Sequence, residues 1–147
     1  MSIWSFQRVL SQRLLAWNIL NFTGGLIFLL SSSKFFQGLG SQFAGWAIVN
    51  AAIAIFGQTS AENRHLRLPD ADTPERRIRE AGNLRAILWV NAALDVLYVI
   101  GGVRLFTRKK SGERLRGIGL GIVFQGIFLF IFDLIHTQNV PDQSQQS

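Results

Sequence analysis

Cysteine is absent from this sequence of 147 residues. That absence excludes disulfide bonds, thiolate metal ligands and cysteine nucleophiles. Histidine is scarce, with only His65 and His136 in the chain. The chain also contains no HExxH motif, no nucleophile–base motif and no glycine-rich phosphate motif that follows a strand. We therefore expect no enzymatic activity, no catalytic residues, no metal centre and no cofactor.

Apolar residues are abundant instead. Hydrophobic residues make up 48% of the chain, with 12 Phe and 4 Trp, which is too much apolar surface for a soluble protein of this size. Four windows approach or reach the roughly 20 apolar residues that a helix needs to cross a bilayer. We expect an all-α, integral membrane four-helix bundle with spans at residues 14–30, 38–57, 86–103 and 117–135.

The order of these windows is compatible with two tandem transmembrane hairpins. Residues 43–56 align with residues 118–131, which brings Asn50 onto Gln125 and indicates an internal repeat. Residues 58–72 have no sustained apolar period and contain Pro69, so they are predicted to form a loop. Thr73 and Pro74 have the pattern of an N-cap and a first helical turn. The four-helix domain then covers residues 1–137, and the polar tail, residues 138–147, is expected to be disordered when alone.

A polar residue lies near the middle of each window. Asp95 is the most notable, because a charged group at that depth costs roughly 2.5 to 3.5 kcal/mol and is usually turned inward, paired or protonated. Asn91, Asp95 and Tyr98 are spaced by four and three residues, which predicts that they share one helix face. We expect a polar layer at mid-depth that contains Asn21, Asn50, Asn91, Asp95, Tyr98 and Gln125.

Two interpretations of this layer remain open. The side chains can be mutual hydrogen-bond partners that fix the register of the helices, each bond contributing roughly 0.6 kcal/mol. Alternatively, they can line a cavity or pathway in which Asp95 exchanges a ligand for a proton. The sequence favours the first interpretation and does not exclude the second.

Asp133 lies near the end of the fourth window. Arg13 and Arg85 fall at the same face of the membrane, so an interfacial ion pair with one of them is expected. A metal or haem site formed by Asp133 and His136 is disfavoured, because the only other histidine is in a predicted loop.

The net charge of +6 comes from loops, so it indicates topology and contact with anionic lipid headgroups rather than nucleic-acid binding. Eight Lys and Arg residues lie on the side of the N-terminus and seven on the other side. The second group is denser, with six basic residues between positions 104 and 116, which favours a cytoplasmic loop there and both termini outside.

Two stretches of the second half carry a family resemblance. They are NAALDVLYVIGG, residues 91–102, and RLRGIGLGIVFQGIFLFIFD, residues 114–133. Both resemble an uncharacterised family of small bacterial four-helix membrane proteins, a domain of unknown function. The resemblance implies the fold and implies no activity. The residues that carry it are Asn91, Asp95, Tyr98, Gly102, Arg114, Leu115, Gly117, Gly119, Gln125, Gly126, Phe132 and Asp133.

For function, we expect a non-enzymatic accessory or structural subunit of a bacterial membrane complex, in the inner or an intracellular membrane. Its partners would be the lipid bilayer and other membrane subunits, or further copies of itself. The alternative is a small proton-coupled transporter or binder of a lipophilic or cationic ligand at Asp95. Binding of a pigment, quinone or haem is disfavoured by the lack of histidine within the spans, and a lipid-modifying enzyme ranks last.

Overall fold

The computed structural model describes residues 1–110 and 112–143. Four helices account for most of them. They are α1 (Ile3–Leu29), α2 (Lys34–Arg67), α3 (Pro74–Thr107) and α4 (Glu113–Gln138). α1 packs along α2, and α3 packs along α4, so the chain forms two consecutive helical hairpins, as the order of the apolar windows indicated.

Three of the four helices are long and apolar enough to cross a membrane, which is consistent with a membrane protein. They are α2, α3 and α4, so the expectation of helices long and apolar enough for a span is confirmed for these three, and the spans themselves stay a prediction. α1 is not long and apolar enough to be counted with these three helices. Its uninterrupted apolar part begins only after Arg13, because Arg8, Gln12 and Arg13 divide the residues before it, and the helix ends at Leu29.

The prediction of a loop at residues 58–72 is wrong for most of that segment. α2 continues to Arg67, and only residues 68–73 connect it to α3. The polar extension is held by ion pairs to its neighbours, in which Glu62 lies 3.4 Å from Arg8 on α1 and Arg64 lies 3.1 Å from Glu80 on α3. The predicted start of α3 is confirmed, because the Thr73 hydroxyl accepts a 3.3 Å bond from the backbone N–H of Arg76.

The start of α1, the residues from Asn139 to Gln143 and the loop between α2 and α3 meet at one end of the bundle, which we call the head. Ile3 at the start of α1 is fully buried there and packs in one cluster with Ala71, Ala81 and Val140. Gln143 Oε1 accepts a bond from the backbone N–H of Ile3. Within the predicted tail, Gln138 ends α4, and Val140 and Gln143 are buried against α1, while residues 144–147 lie outside the described residues. Disorder of the tail when alone stays a prediction.

Glycines let the helix backbones touch. A Cβ built on Gly25 would lie 2.9 Å from the carbonyl oxygen of Gly40, and one built on Gly102 would lie 2.8 Å from that of Gly119. The first pair joins α1 to α2, and the second joins α3 to α4. The two hairpins are joined by α2 and α4, where Gly117 lies directly against the carbonyl of Phe35. Because small residues permit such contact, dispersion and backbone dipoles can hold the helices together in an apolar surrounding.

Candidate functional site

The interior of the bundle is polar at mid-depth. Asn21, Asn50, Asp95 and Gln125 are all at least nine-tenths buried. Two other members of the expected layer, Asn91 and Tyr98, are exposed on the outside of α3. α3 packs mainly on α4, so it buries one stripe of residues, which includes Leu88, Ala92, Asp95 and Gly102. The spacing of Asn91 and Tyr98 places them at the edges of this stripe.

Two amide side chains are held in fixed orientations. Asn21 Nδ2 donates a 2.9 Å bond to the carbonyl oxygen of Trp17, one turn earlier in α1. That bond leaves Asn21 Oδ1 to accept, and Gln125 Nε2 on α4 donates to it at 2.6 Å. With its nitrogen committed to α1, Gln125 presents its oxygen Oε1 to other partners.

Asp133 contacts Asp95 rather than an arginine. The two carboxyl groups, on α4 and α3, are within hydrogen-bonding contact, and both side chains are buried. Two ionised carboxylates in contact repel each other, and a proton shared between them removes that repulsion. This pair was missed in the sequence, although a signal was there. Gly119, Gly126 and Asp133 recur every seven residues, which places Asp133 on the face of α4 that packs against α3.

The expected ion pair of Asp133 with Arg13 or Arg85 is not formed in the described part of the chain. Arg13 Nη1 lies 3.2 Å from His136 Nε2, and Arg85 Nη2 donates to the carbonyl oxygen of Val140. Both arginines reach the head, where backbone and imidazole acceptors are available, whereas Asp133 points into the bundle.

His136 is engaged through both ring nitrogens. Nδ1 lies 2.6 Å from the carbonyl oxygen of Phe132, so it carries the proton, and Nε2 accepts from Arg13. Among the described residues, no group of three or more His, Cys, Asp or Glu side chains could hold a metal ion. The pair of Asp133 and His136 therefore has no third ligand of those types within reach.

A small cavity of about 10 Å³ lies beside the polar layer. It is the size of one water molecule. Trp46 on α2 and Tyr98 on α3 meet edge to face at 5.1 Å at this cavity, and Tyr98 is partly exposed on its outer side. The side chains and backbone that line it are Gln42, Trp46, Asp95, Tyr98, Ile122, Gln125, Gly126 and Leu129.

Two of the residues that line this cavity each carry an oxygen atom without a hydrogen-bond partner within residues 1–110 and 112–143. These oxygen atoms are Asp95 Oδ2 and Gln125 Oε1. Gln125 Oε1 is an acceptor, because the Gln125 nitrogen is bound to Asn21. Asp95 Oδ2 accepts when Asp95 is ionised and donates when Asp95 carries the proton of the pair on this oxygen. A buried polar atom without a partner costs about 1–3 kcal/mol, so a hydrogen-bond partner for these two oxygens is favourable.

Comparison with known proteins gives one match. Neither the curated proteins nor the solved structures contain a match to this chain. A family model does match, over residues 13–134, which includes all of α2 and α3, most of α1 and α4, and every residue of the polar layer. The chain belongs to this family, a family of unknown function designated DUF6992.

Proposed function

We propose that this chain is a multi-pass integral membrane protein that serves as a non-enzymatic structural subunit of a membrane complex. The outer surface of the helices supports membrane insertion, because large apolar side chains are exposed all along it. Ile53 on α2, Leu97 on α3 and Phe124 on α4 are between 58% and 64% exposed. Exposed apolar surface on this scale is stable in a lipid environment and not in water.

The observation that carries the structural role is that the bundle interior is filled. Helix backbones touch at Gly25 and Gly40, at Gly102 and Gly119, and at Gly117 and Phe35. The cavity beside the polar layer measures about 10 Å³, whereas pockets for drug-sized ligands measure about 300 to 1,000 Å³. Such an interior favours a scaffold over a carrier of a lipophilic ligand.

The head gives the scaffold a surface for partners outside the bilayer. α2 continues beyond Gly57, the last residue of its apolar window, to Arg67. This extension is about 15 Å long at 1.5 Å per residue. Arg64 and Glu80 join this extension to α3, and Arg8 pairs with Glu62 across α1 and α2. A rigid polar platform beside the membrane is suited to holding other subunits in place.

The positive charge supports an orientation for this assembly. The turn between α3 and α4 lies opposite the head, and six basic residues lie between positions 104 and 116. We propose that this turn faces the cytoplasm and that the head, with both termini, lies on the other side.

Purification from the native membrane tests the structural role. The tagged chain is extracted into lipid nanodiscs, and the mass and composition of the particle are measured. We expect a particle much larger than the 16.5 kDa chain, with another membrane protein at a fixed ratio. A particle that contains only one or two copies of this chain and lipid would contradict the proposal. A substitution in the head, such as Arg67→Glu at an exposed position, is expected to release the partner, whereas Gly101→Ala on the lipid side is not.

A further inference from the structure

The end of the bundle opposite the head is strongly basic. This end, which we call the basic end, consists of the start of α2, the end of α3, the turn between α3 and α4, and the start of α4. We propose that the basic end binds the headgroup of an anionic phospholipid, with Lys34 and Arg114 as the main contacts. The proposal rests on the membrane insertion proposed above, and it does not depend on any partner protein.

The first argument is the distribution of charge. Six Lys and Arg residues between positions 104 and 116, together with Lys34, are accompanied by a single acidic residue, Glu113. All seven basic residues are exposed, and within residues 1–110 and 112–143 no ion pair joins any of them to a carboxylate. On the side of the head, by contrast, eight basic residues are accompanied by six acidic ones, and arginines such as Arg64 are paired. The positive charge that lacks a partner is therefore concentrated at the basic end.

The fold adds Lys34 to this cluster, although Lys34 belongs to the other hairpin. The beginnings of α2 and α4 are in contact, since Gly38 lies directly against the backbone carbonyl of Arg114. That contact uses the backbone of Arg114 and leaves its side chain exposed. Arg116, also on α4, lies over the ring of Phe106 on α3 at 5.2 Å. Three helices therefore bring basic side chains to one surface.

The depth of these side chains suits a phospholipid headgroup. The apolar windows of α2 and α4 begin four and three residues after Lys34 and Arg114, which is about 6 Å or less at 1.5 Å per residue. Phe36 and Leu115, which are 42% and 47% exposed, lie within two residues of the same pair and can contact acyl chains. A phospholipid supplies both a phosphate and acyl chains, whereas an acidic protein segment in water would leave these apolar side chains uncovered.

The same side chains should distinguish anionic from zwitterionic lipids. The Arg114 guanidinium can donate two parallel hydrogen bonds to a phosphate, and the Lys34 ammonium adds a second positive charge. A zwitterionic headgroup carries its own cation, which the basic end repels. Each basic residue near an anionic membrane surface strengthens binding by about fivefold, so even two such contacts give a measurable preference.

Native mass spectrometry of bound lipids tests the proposal. The full-length protein is held in neutral detergent micelles and mixed with equal amounts of phosphatidylglycerol, which is anionic, and phosphatidylcholine, which is zwitterionic, with identical acyl chains. We expect phosphatidylglycerol to be retained over phosphatidylcholine by about fivefold or more. High salt should reduce this preference, because it screens exposed charges. The deacylated headgroup, glycerophosphoglycerol, should displace the lipid poorly, because it lacks the acyl chains.

Two charge reversals and one control locate the site. Arg114→Glu and Lys34→Glu should each reduce the preference for phosphatidylglycerol by about fivefold or more. Both positions are exposed, so the fold should be retained. Arg79→Glu is the matched control, because it changes the net charge by the same amount at an exposed position of the head and should leave the preference unchanged.

Three results would overturn the proposal. Equal retention of the two lipids by the wild type would remove the preference and favour an acidic protein partner at the basic end. An equal loss of preference in Arg79→Glu would show that net charge alone selects the lipid. Ready displacement by glycerophosphoglycerol would show a site for free phosphates. In each case, continued retention of phosphatidylcholine would leave membrane insertion unaffected, whereas retention of neither lipid would contradict insertion as well.

Discussion

Gln125 on α4 donates a 2.6 Å hydrogen bond to Asn21 on α1, across 104 residues of sequence. Both side chains are at least nine-tenths buried. The bond joins the first helix of one hairpin to the second helix of the other, and it lies at the level of the cavity beside Asp95. In an apolar surrounding, this hydrogen bond fixes the position of one hairpin relative to the other along the bundle axis. A shift of either helix along that axis would leave two amides without partners.

A double-mutant cycle on Asn21 and Gln125 measures this bond. We expect the unfolding free energies of Asn21→Ala, Gln125→Ala and the double variant to be non-additive, with a coupling of about 0.6 kcal/mol and at most about 2 kcal/mol. Unfolding is followed in mixed micelles of lipid and denaturing detergent. Strict additivity would show that the two residues stabilise the bundle independently and would contradict the role assigned to the bond.

Two neighbouring glycines on α3 should differ in how much stability the protein loses when each is replaced by alanine. A Cβ at Gly102 would lie 2.8 Å from the carbonyl oxygen of Gly119, so Gly102→Ala forces α3 and α4 apart and should cost about 1–3 kcal/mol. No atom lies within 4 Å of a Cβ at Gly101, so Gly101→Ala should cost nothing. Thermal unfolding in nanodiscs compares the two, and equal stability of both variants would show that α3 and α4 are not in backbone contact.

Much of the fold could be predicted from the sequence, because long apolar windows and the Thr73–Pro74 helix start are local signals. The extension of α2 to Arg67 could not be predicted, because it depends on contacts with residues that are distant in the sequence. Arg64 is held by Glu80 from the next helix, and the first residues of α1 pack against the loop. A polar segment with no apolar period becomes helical when another element supplies these partners.

The candidate site was predictable only in part. Burial of Asn21, Asn50, Asp95 and Gln125 agrees with their mid-window positions, because a polar side chain avoids lipid. The rotation of each helix about its axis and the tilt between the hairpins decide which buried polar residues contact each other. The spacing of these residues in the sequence does not determine either quantity. Asp133 for this reason lies against Asp95 and not beside an arginine.

The ion pair of Arg64 and Glu80 should stabilise the head more than the exposed pairs do. Arg64 Nε and Nη2 both donate to the Glu80 carboxylate at 3.1 Å, and the Glu80 side chain is only 6% exposed. Arg64→Ala leaves that carboxylate buried and unpaired, so we expect a loss of about 1–3 kcal/mol. Arg8→Ala breaks the more exposed pair with Glu62 and should cost less than about 1 kcal/mol.

Chemical denaturation of the head, followed by the fluorescence of Trp4, checks this difference. Trp4 stacks on His65 at 5.0 Å and donates to the carbonyl oxygen of Ala71, so its emission reports the contact between α1, α2 and the loop. If Arg8→Ala proved as destabilising as Arg64→Ala, burial of Glu80 would not be the source of the stabilisation.

Gln143 should protect the beginning of α1 from opening. Its Oε1 accepts from the backbone N–H of Ile3, and its Nε2 donates to the carbonyl oxygen of Met1. Gln143→Ala removes both bonds, so we expect hydrogen exchange near Ile3 to accelerate about tenfold, which corresponds to roughly 1.4 kcal/mol. Gln138→Ala, at an exposed position of α4, is the control and should leave that exchange unchanged.

Insertion across a membrane is the condition on which the proposed structural role depends, and single-cysteine labelling tests it most directly. The chain has no native cysteine, so each introduced thiol reports alone. In sealed vesicles, we expect a water-soluble reagent to modify Ser2→Cys and Gln138→Cys from one side and Lys109→Cys from the other. Ile53→Cys, on the outer face of α2, should react only after the membrane is dissolved. Rapid labelling of Ile53→Cys in intact vesicles, or labelling of Lys109→Cys from the side of the termini, would contradict the transmembrane arrangement.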